Sequence, residues 1–128
     1  MSVATEKSPK LQTVETLFDA MKRKDWTTIK SCLTEDVFYR VGSSEPVHGP
    51  EEVQKYLSGL YEIASFEYAD VRQVLEPEGQ VIFEMESHYR RLADNRPISF
   101  ACTDILRVRG DKIREWRVYV DISPLFAE

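Results

Sequence analysis

The hydrophobic period of this chain changes once, near Ser65, and that change constrains the fold more than any other feature. Before it, Leu11, Val14, Leu17, Phe18 and Met21 recur at helical spacing and form one apolar stripe. After it the period is two, in the runs Phe66–Leu75, Val81–Tyr89, Ile98–Val108 and Ile113–Val120. The links between those runs are short and rich in turn residues: Glu76-Pro77-Glu78-Gly79, Ala93-Asp94-Asn95-Arg96-Pro97 and Arg109-Gly110-Asp111. Short links imply consecutive antiparallel hairpins. Helices first and a meander afterward predict an α+β sandwich whose helices cover one face of the sheet.

The helical half divides further. Ser8-Pro9 supplies a capping hydroxyl and a proline for the first turn of helix one. A short second helix is expected to carry Trp26, Ile29, Cys32 and Leu33, and Val37–Val41 alternates like a strand. The loop from Gly42 to Pro46 then leads to a third helix opening at Gly49-Pro50. That helix has Glu51 and Glu52 in its first turn and Val53, Leu57, Leu60 and Ile63 on its inner face. Residues 1–7 are polar and read as a disordered tail, which leaves 8–128 as a single domain without internal repeats.

A chain of 128 residues can bury one core. Its net charge of −5, with no stripe of Lys and Arg, excludes a nucleic-acid partner. No apolar run reaches membrane-spanning length, and the N-terminus lacks the hydrophobic centre of a signal peptide. Cys32 and Cys102 both sit in apolar patterns and read as reduced core thiols, which suits a cytoplasmic protein. Zinc-type Cys/His spacing and glycine-rich phosphate loops are absent from the sequence, so neither a metal nor a cofactor is expected.

Asp104 breaks the pattern. In Phe100–Val108 the even positions read Phe, Cys, Asp, Leu, Val, so Asp104 projects with Phe100, Cys102, Leu106 and Val108. A carboxylate on that face is paired, protonated, or kept for chemistry. If all the apolar faces turn toward the helices, the inner surface collects Tyr39, Val41, Phe83, Met85, Ser87, Phe100, Cys102, Asp104, Trp116 and Val118. Tyr39, Ser87 and Asp104 are the polar members of a mostly apolar set, which is the composition of a small-molecule pocket. Arg40 points away from Tyr39 in a regular strand, but a bulge would let it pair with Asp104 and make the acid structural. His48 reads as a loop or capping residue, and His88 belongs to a charged outer face. Glu84, Glu86, Arg90 and Arg117 on that face read as cross-strand charge pairs.

The order of elements, the segment Cys102–Trp116, the Gly49-Pro50 helix opening and the ending Trp116–Asp121 resemble the NTF2-like superfamily over nearly the whole chain. The SnoaL-like branch, ketosteroid isomerases and limonene-epoxide hydrolases are its nearest-looking members. The resemblance implies a cone-shaped roll: three N-terminal helices packed on a curved, mostly antiparallel sheet that encloses a pocket, often in a dimer. Limonene-epoxide hydrolases activate water with two Asp and an Arg, helped by Tyr and Asn. The Tyr matches Tyr39, but the Asn falls on Val41, the Arg and first Asp on Met85 and Ser87, and the second Asp on Val118. That mechanism is not expected. In ketosteroid isomerases the oxyanion-hole acid matches Asp104, whereas the partner Tyr falls on Leu17 and the base near Arg40, so steroid isomerisation is not expected either. SnoaL-like cyclases place a proton-transferring acid on a strand like that of Asp104.

Two readings stay open from the sequence. One is an isomerase-, cyclase- or lyase-type acid/base enzyme acting on a small hydrophobic carbonyl compound, with Asp104 as acid/base and Tyr39 as hydrogen-bond donor. The other is a non-catalytic ligand-binding or assembly domain. A homodimer is expected through the outer sheet face, where Ala101, Thr103, Ile105 and Tyr119 interrupt the charged surface.

Overall fold

The computed structural model describes residues 7–127. Of the expected N-terminal tail, residues 1–6 lie outside the described residues, and Lys7 pairs its ammonium with Glu15 at 2.9 Å. Helix α1 (Pro9–Arg23) starts where the sequence predicts: the Ser8 hydroxyl accepts the Leu11 N–H at 3.2 Å, and Pro9 occupies the first turn. It ends at Lys24, whose left-handed backbone (φ 55°) closes the last turn beside the basic Lys22 and Arg23. Val14, Leu17 and Ala20 are fully buried and form its inner stripe. Helix α2 (Trp26–Ser31) is capped by Asp25, which accepts the Thr28 N–H.

The first strand is longer than its alternation indicated. Strand β1 runs Leu33–Val41, so Leu33 belongs to the sheet and Cys32 caps α2 instead of both lying in the helix. The pairing of β1 is irregular between Leu33 and Phe38, which hid the period there. A two-residue strand, β2 (Val47–His48), precedes α3 and pairs antiparallel with β1, Phe38 facing His48 and Tyr39 facing Val47. His48 is therefore an edge-strand residue, its ring edge-on to Phe38 at 5.7 Å, and not a loop or cap. Two residues carry no readable period, so this strand left no sequence signal.

Helix α3 (Pro50–Tyr61) starts after Gly49, whose φ of 86° only glycine adopts freely. Its buried residues are Val53, Leu57 and Tyr61. Ile63 lies past the helix end and is 37% exposed, so the expected inner face is corrected at that position. The meander follows as β3 (Ala64–Leu75), β4 (Gln80–Arg91), β5 (Arg96–Arg109) and β6 (Lys112–Tyr119), and a 3₁₀ turn, η1, spans Ser123–Phe126. The six strands form one sheet in the order β2-β1-β6-β5-β4-β3, antiparallel throughout except for the parallel β1–β6 pair. This is the expected α+β roll, with three helices over one face of a curved sheet. The main core lies between them, from Leu17, Ile29 and Leu57 on the helices to Val81, Leu106, Ile113 and Trp116 on the strands. No helix is long and apolar enough to cross a membrane among the described residues.

Candidate functional site

The alternation of β5 sends Asp104 inward, where register places it between Phe83 of β4 and Val118 of β6. Only 4% of the residue is exposed. Its carboxyl accepts two hydrogen bonds from side chains. The Trp116 indole Nε1–H donates to Oδ2 at 2.9 Å, and the Cys102 thiol donates to Oδ1 at 3.2 Å. Both donors are neutral, and a thiol is a weak one. Burial outweighs them and pushes the Asp104 carboxyl up from 3.8 to about 6. Arg40 does not reverse this: it is exposed and its Nε–H donates to the Ser44 carbonyl at 2.9 Å, so the Arg40–Asp104 pair does not form.

Around this acid lies a cavity of about 330 Å³. The structure places Tyr39, Val41, Phe83, Met85, Ser87, Phe100, Cys102, Asp104, Trp116 and Val118 along its wall. Tyr39 sits beside Trp116 across the parallel β1–β6 pair, ring centroids 4.4 Å apart, and meets Tyr56 edge-on at 5.6 Å. Burial holds the Tyr39 phenol well above its ordinary range, and the neighbouring Tyr89, Tyr56 and Asp104 add to that. The Cys102 thiol is likewise held high, chiefly by burial and then by the charge of Asp104. The Tyr39 phenol and the Cys102 thiol therefore stay protonated at neutral pH, each with a proton to donate. Asp104 is the buried member of the wall able to exchange a proton near neutrality.

Several wall residues escape the inward set drawn from the sequence. Tyr89 follows Ser87 by two on β4, so the alternation itself contained it; its phenol is also pushed up by burial. Phe18 of α1 packs edge-on against Phe83 at 5.0 Å, and Phe66 of β3 lies tilted against Tyr89 at 5.3 Å. Ile122 and Leu125 come from the C-terminal segment, where no period predicts a direction. Glu15, Asp19 and Lys22 of α1 reach the cavity from its rim. Among the described residues, no three His, Cys, Asp or Glu side chains converge into a metal-holding group.

The outer face is charged, as its residue pattern implies, although its partners differ from those expected. Arg90 pairs with Glu67 at 3.0 Å and Arg72 with Glu86 at 3.7 Å, while Glu84 accepts a hydrogen bond from Gln73. Arg117 contacts Glu115 and lies over the Phe38 ring at 4.3 Å. His88 belongs to this face, bonded to Ser99 and Asp70 and stacked on Tyr68 at 4.3 Å.

A family model described as the SnoaL-like domain matches residues 14–116. Solved structures share the fold. An epoxide hydrolase of M. tuberculosis, like the limonene-epoxide hydrolases, is 19% identical with a TM-score of 0.78, covering 95% of this chain and 90% of its own. An NTF2-like protein of unknown function from Burkholderia pseudomallei is 14% identical with a TM-score of 0.84, covering 94% and 96%. A provisionally named polyketide cyclase from Pseudomonas putida is 16% identical with a TM-score of 0.79, covering 92% and 95%. At such identities the likeness speaks for the fold, and the chemistry has to be argued from the side chains.

Proposed function

The chain belongs to the SnoaL-like family, and from that premise we propose that it is an acid/base enzyme of the isomerase, cyclase or lyase type, acting on a small hydrophobic carbonyl compound. The observation that carries this is Asp104: a buried carboxyl, facing a largely apolar cavity and pushed up to about 6, with neutral donors as its partners. A carboxylate of that basicity takes a proton from carbon next to a carbonyl and can return it elsewhere on the same molecule. The Tyr39 hydroxyl, held protonated, donates to the carbonyl oxygen as negative charge develops there. Apolar walls keep bulk water from competing for either group. Epoxide hydrolysis by an acid–arginine–acid set is not supported, because Met85, Ser87 and Val118 occupy the positions concerned.

The test is exchange of α-hydrogens for deuterium in heavy water, followed by proton NMR over a panel of small apolar ketones, aldehydes and enones. Wild-type protein is expected to catalyse exchange in at least one of them, and Asp104→Asn to lower that rate by about 10²–10⁴-fold. Exchange that is absent across the panel, or equal in the variant, leaves the non-catalytic binding reading in its place.

We also propose that two copies associate through the outer sheet face. Tyr119 is 54% exposed there, and register sets it opposite Thr103, with Ile105 next on the same face of β5. Such a patch amid paired charges suits a self-complementary interface. Light scattering at micromolar concentration should give twice the mass of 14.9 kDa for wild type and a single mass for Ile105→Glu. A wild-type monomer rejects the proposal.

A further inference from the structure

We propose that the cavity is also a binding site for a compact organic cation, a tertiary or quaternary ammonium seated between Asp104 and the rings of Trp116, Tyr39 and Phe83. Asp104 is the buried acid of the wall, and among the described residues lining the cavity there is neither arginine nor histidine. Lys22 is the lysine among them, and it is exposed on α1. The rim acids do not alter that balance, since Glu15 pairs with Lys7 and Asp19 with Arg23. With its carboxyl at about 6, Asp104 is mostly ionised at neutral pH, an anion in a low-dielectric wall without a countercharge.

A ligand can supply the missing charge. Aromatic rings attract a cation through their electron-rich faces, with indole the strongest, and Trp116 is held beside Asp104 by its own N–H. Methylated ammonium suits the site better than a primary amine or a metal ion. Its charge is spread under an apolar surface, so leaving water costs it less, and the rest of the wall is apolar. Phosphates and carboxylates would meet a like charge and find no basic group inside. A cavity of about 330 Å³ sets the scale of the ligand as small. This proposal goes beyond the acid/base reading, because here Asp104 serves as a fixed charge.

The experiment compares choline with 3,3-dimethylbutan-1-ol, the uncharged analogue carrying carbon in place of nitrogen, by calorimetry on the full chain near pH 7.5. Choline is expected to bind about tenfold tighter than the alcohol in wild type, and Asp104→Asn to abolish that difference while the alcohol still binds. Should the variant fold poorly, the wild type alone decides: saturating choline should lower the NMR-titrated pKa of Asp104 by about one pH unit, and the alcohol should not. The other titratable groups facing Asp104, namely Cys102 on β5, Tyr39 on β1 and Tyr89 on β4, are all held high by burial and stay protonated through that range. The rim groups of α1, Glu15, Asp19 and Lys22, are followed in the same titration. Choline that fails to bind, binds no tighter than the alcohol, or leaves the Asp104 titration unmoved overturns the proposal. Choline binding without Asp104-dependent deuterium exchange overturns the acid/base reading alone, and the converse result overturns this inference alone.

Discussion

Two buried side chains that ionise, Asp104 and Arg91, show how differently this fold treats a charge. Arg91 ends β4 at the corner where the C-terminus returns, and 8% of it is exposed. Its Nε–H and Nη2 donate to both carboxylate oxygens of Asp94, at 3.0 and 2.6 Å, in the forked geometry that guanidinium favours. Its Nη1 donates to the carbonyls of Leu125 at 3.2 Å, Pro124 at 3.4 Å and Ala127. The Arg91 side chain holds the Asp94 carboxyl down at about 2. Asp104 has an indole N–H and a thiol, and its carboxyl is pushed the other way. A charge whose partners are complete fixes structure, whereas a charge left short of partners beside a cavity is available to something that enters it.

If that contrast holds, breaking the complete site should disturb the fold most. Arg91→Met is expected to lower the melting temperature more than any change at Asp104, Trp116 or Cys102, because it strands three carbonyls and one carboxylate together. The loss should be local first. Leu125 packs with Ala64, Ile98 and Phe100 and also lines the cavity, so proteolysis should reach the C-terminal segment before the rest of the sheet. A melting temperature within a degree or two of wild type would mean that the C-terminal segment is held by Leu125 alone.

The two sites are not equally legible in the sequence. Asp104 can be found because an acid in a period-two apolar run contradicts its surroundings, and every residue of the inward set comes from the same alternation. Arg91 cannot, because apart from Asp94 its partners are main-chain carbonyls more than thirty positions away, and a carbonyl has no side-chain letter. For the same reason the β2 strand and the inward turn of Ile122 and Leu125 left no trace, as short or irregular segments carry no period. Tyr89 is the exception: the pattern puts it on the inner face of β4, yet the pocket set drawn from that pattern omits it. The meander, built of long alternating strands, is readable almost to its ends.

The contrast also has a signature in pH. Asp104 rises from 3.8 to about 6 on folding, so the folded state holds its proton more tightly. Its favourable contribution is complete below about pH 4 and is lost as pH rises through 6, a cost of about 3 kcal/mol at neutral pH. Asp94 runs the other way: its folded value is about 2, so the stability it adds is present above 3.8 and is lost as pH falls through 2. Asp104→Asn removes the neutral-pH cost. Relative to wild type, its resistance to urea unfolding should increase by about 3 kcal/mol on going from roughly pH 4 to pH 7.5. Asp94→Asn should do the reverse, losing stability at neutral pH and converging on wild type in strong acid. A pH-independent difference for Asp104→Asn would falsify the claim that burial governs this acid.

The finest cut separates the two partners of Asp104. Trp116→Phe keeps an aromatic ring against Tyr39 while deleting the N–H that donates to Oδ2 at 2.9 Å. A hydrogen bond to a charged acceptor contributes on the order of 1.5 kcal/mol, so the Asp104 titration should move up by about one further pH unit. Cys102→Ala deletes the 3.2 Å thiol contact and should move it less, because sulfur donates weakly. The upward direction is the informative part. Removing a partner takes Asp104 further from the condition of Asp94, toward an acid governed by burial alone, and the proton transfer proposed for it should shift to higher pH by the same amount. NMR titration of the carboxyl in each variant measures this directly. An unmoved titration in Trp116→Phe would show that the indole fixes the position of the carboxyl without stabilising its charge.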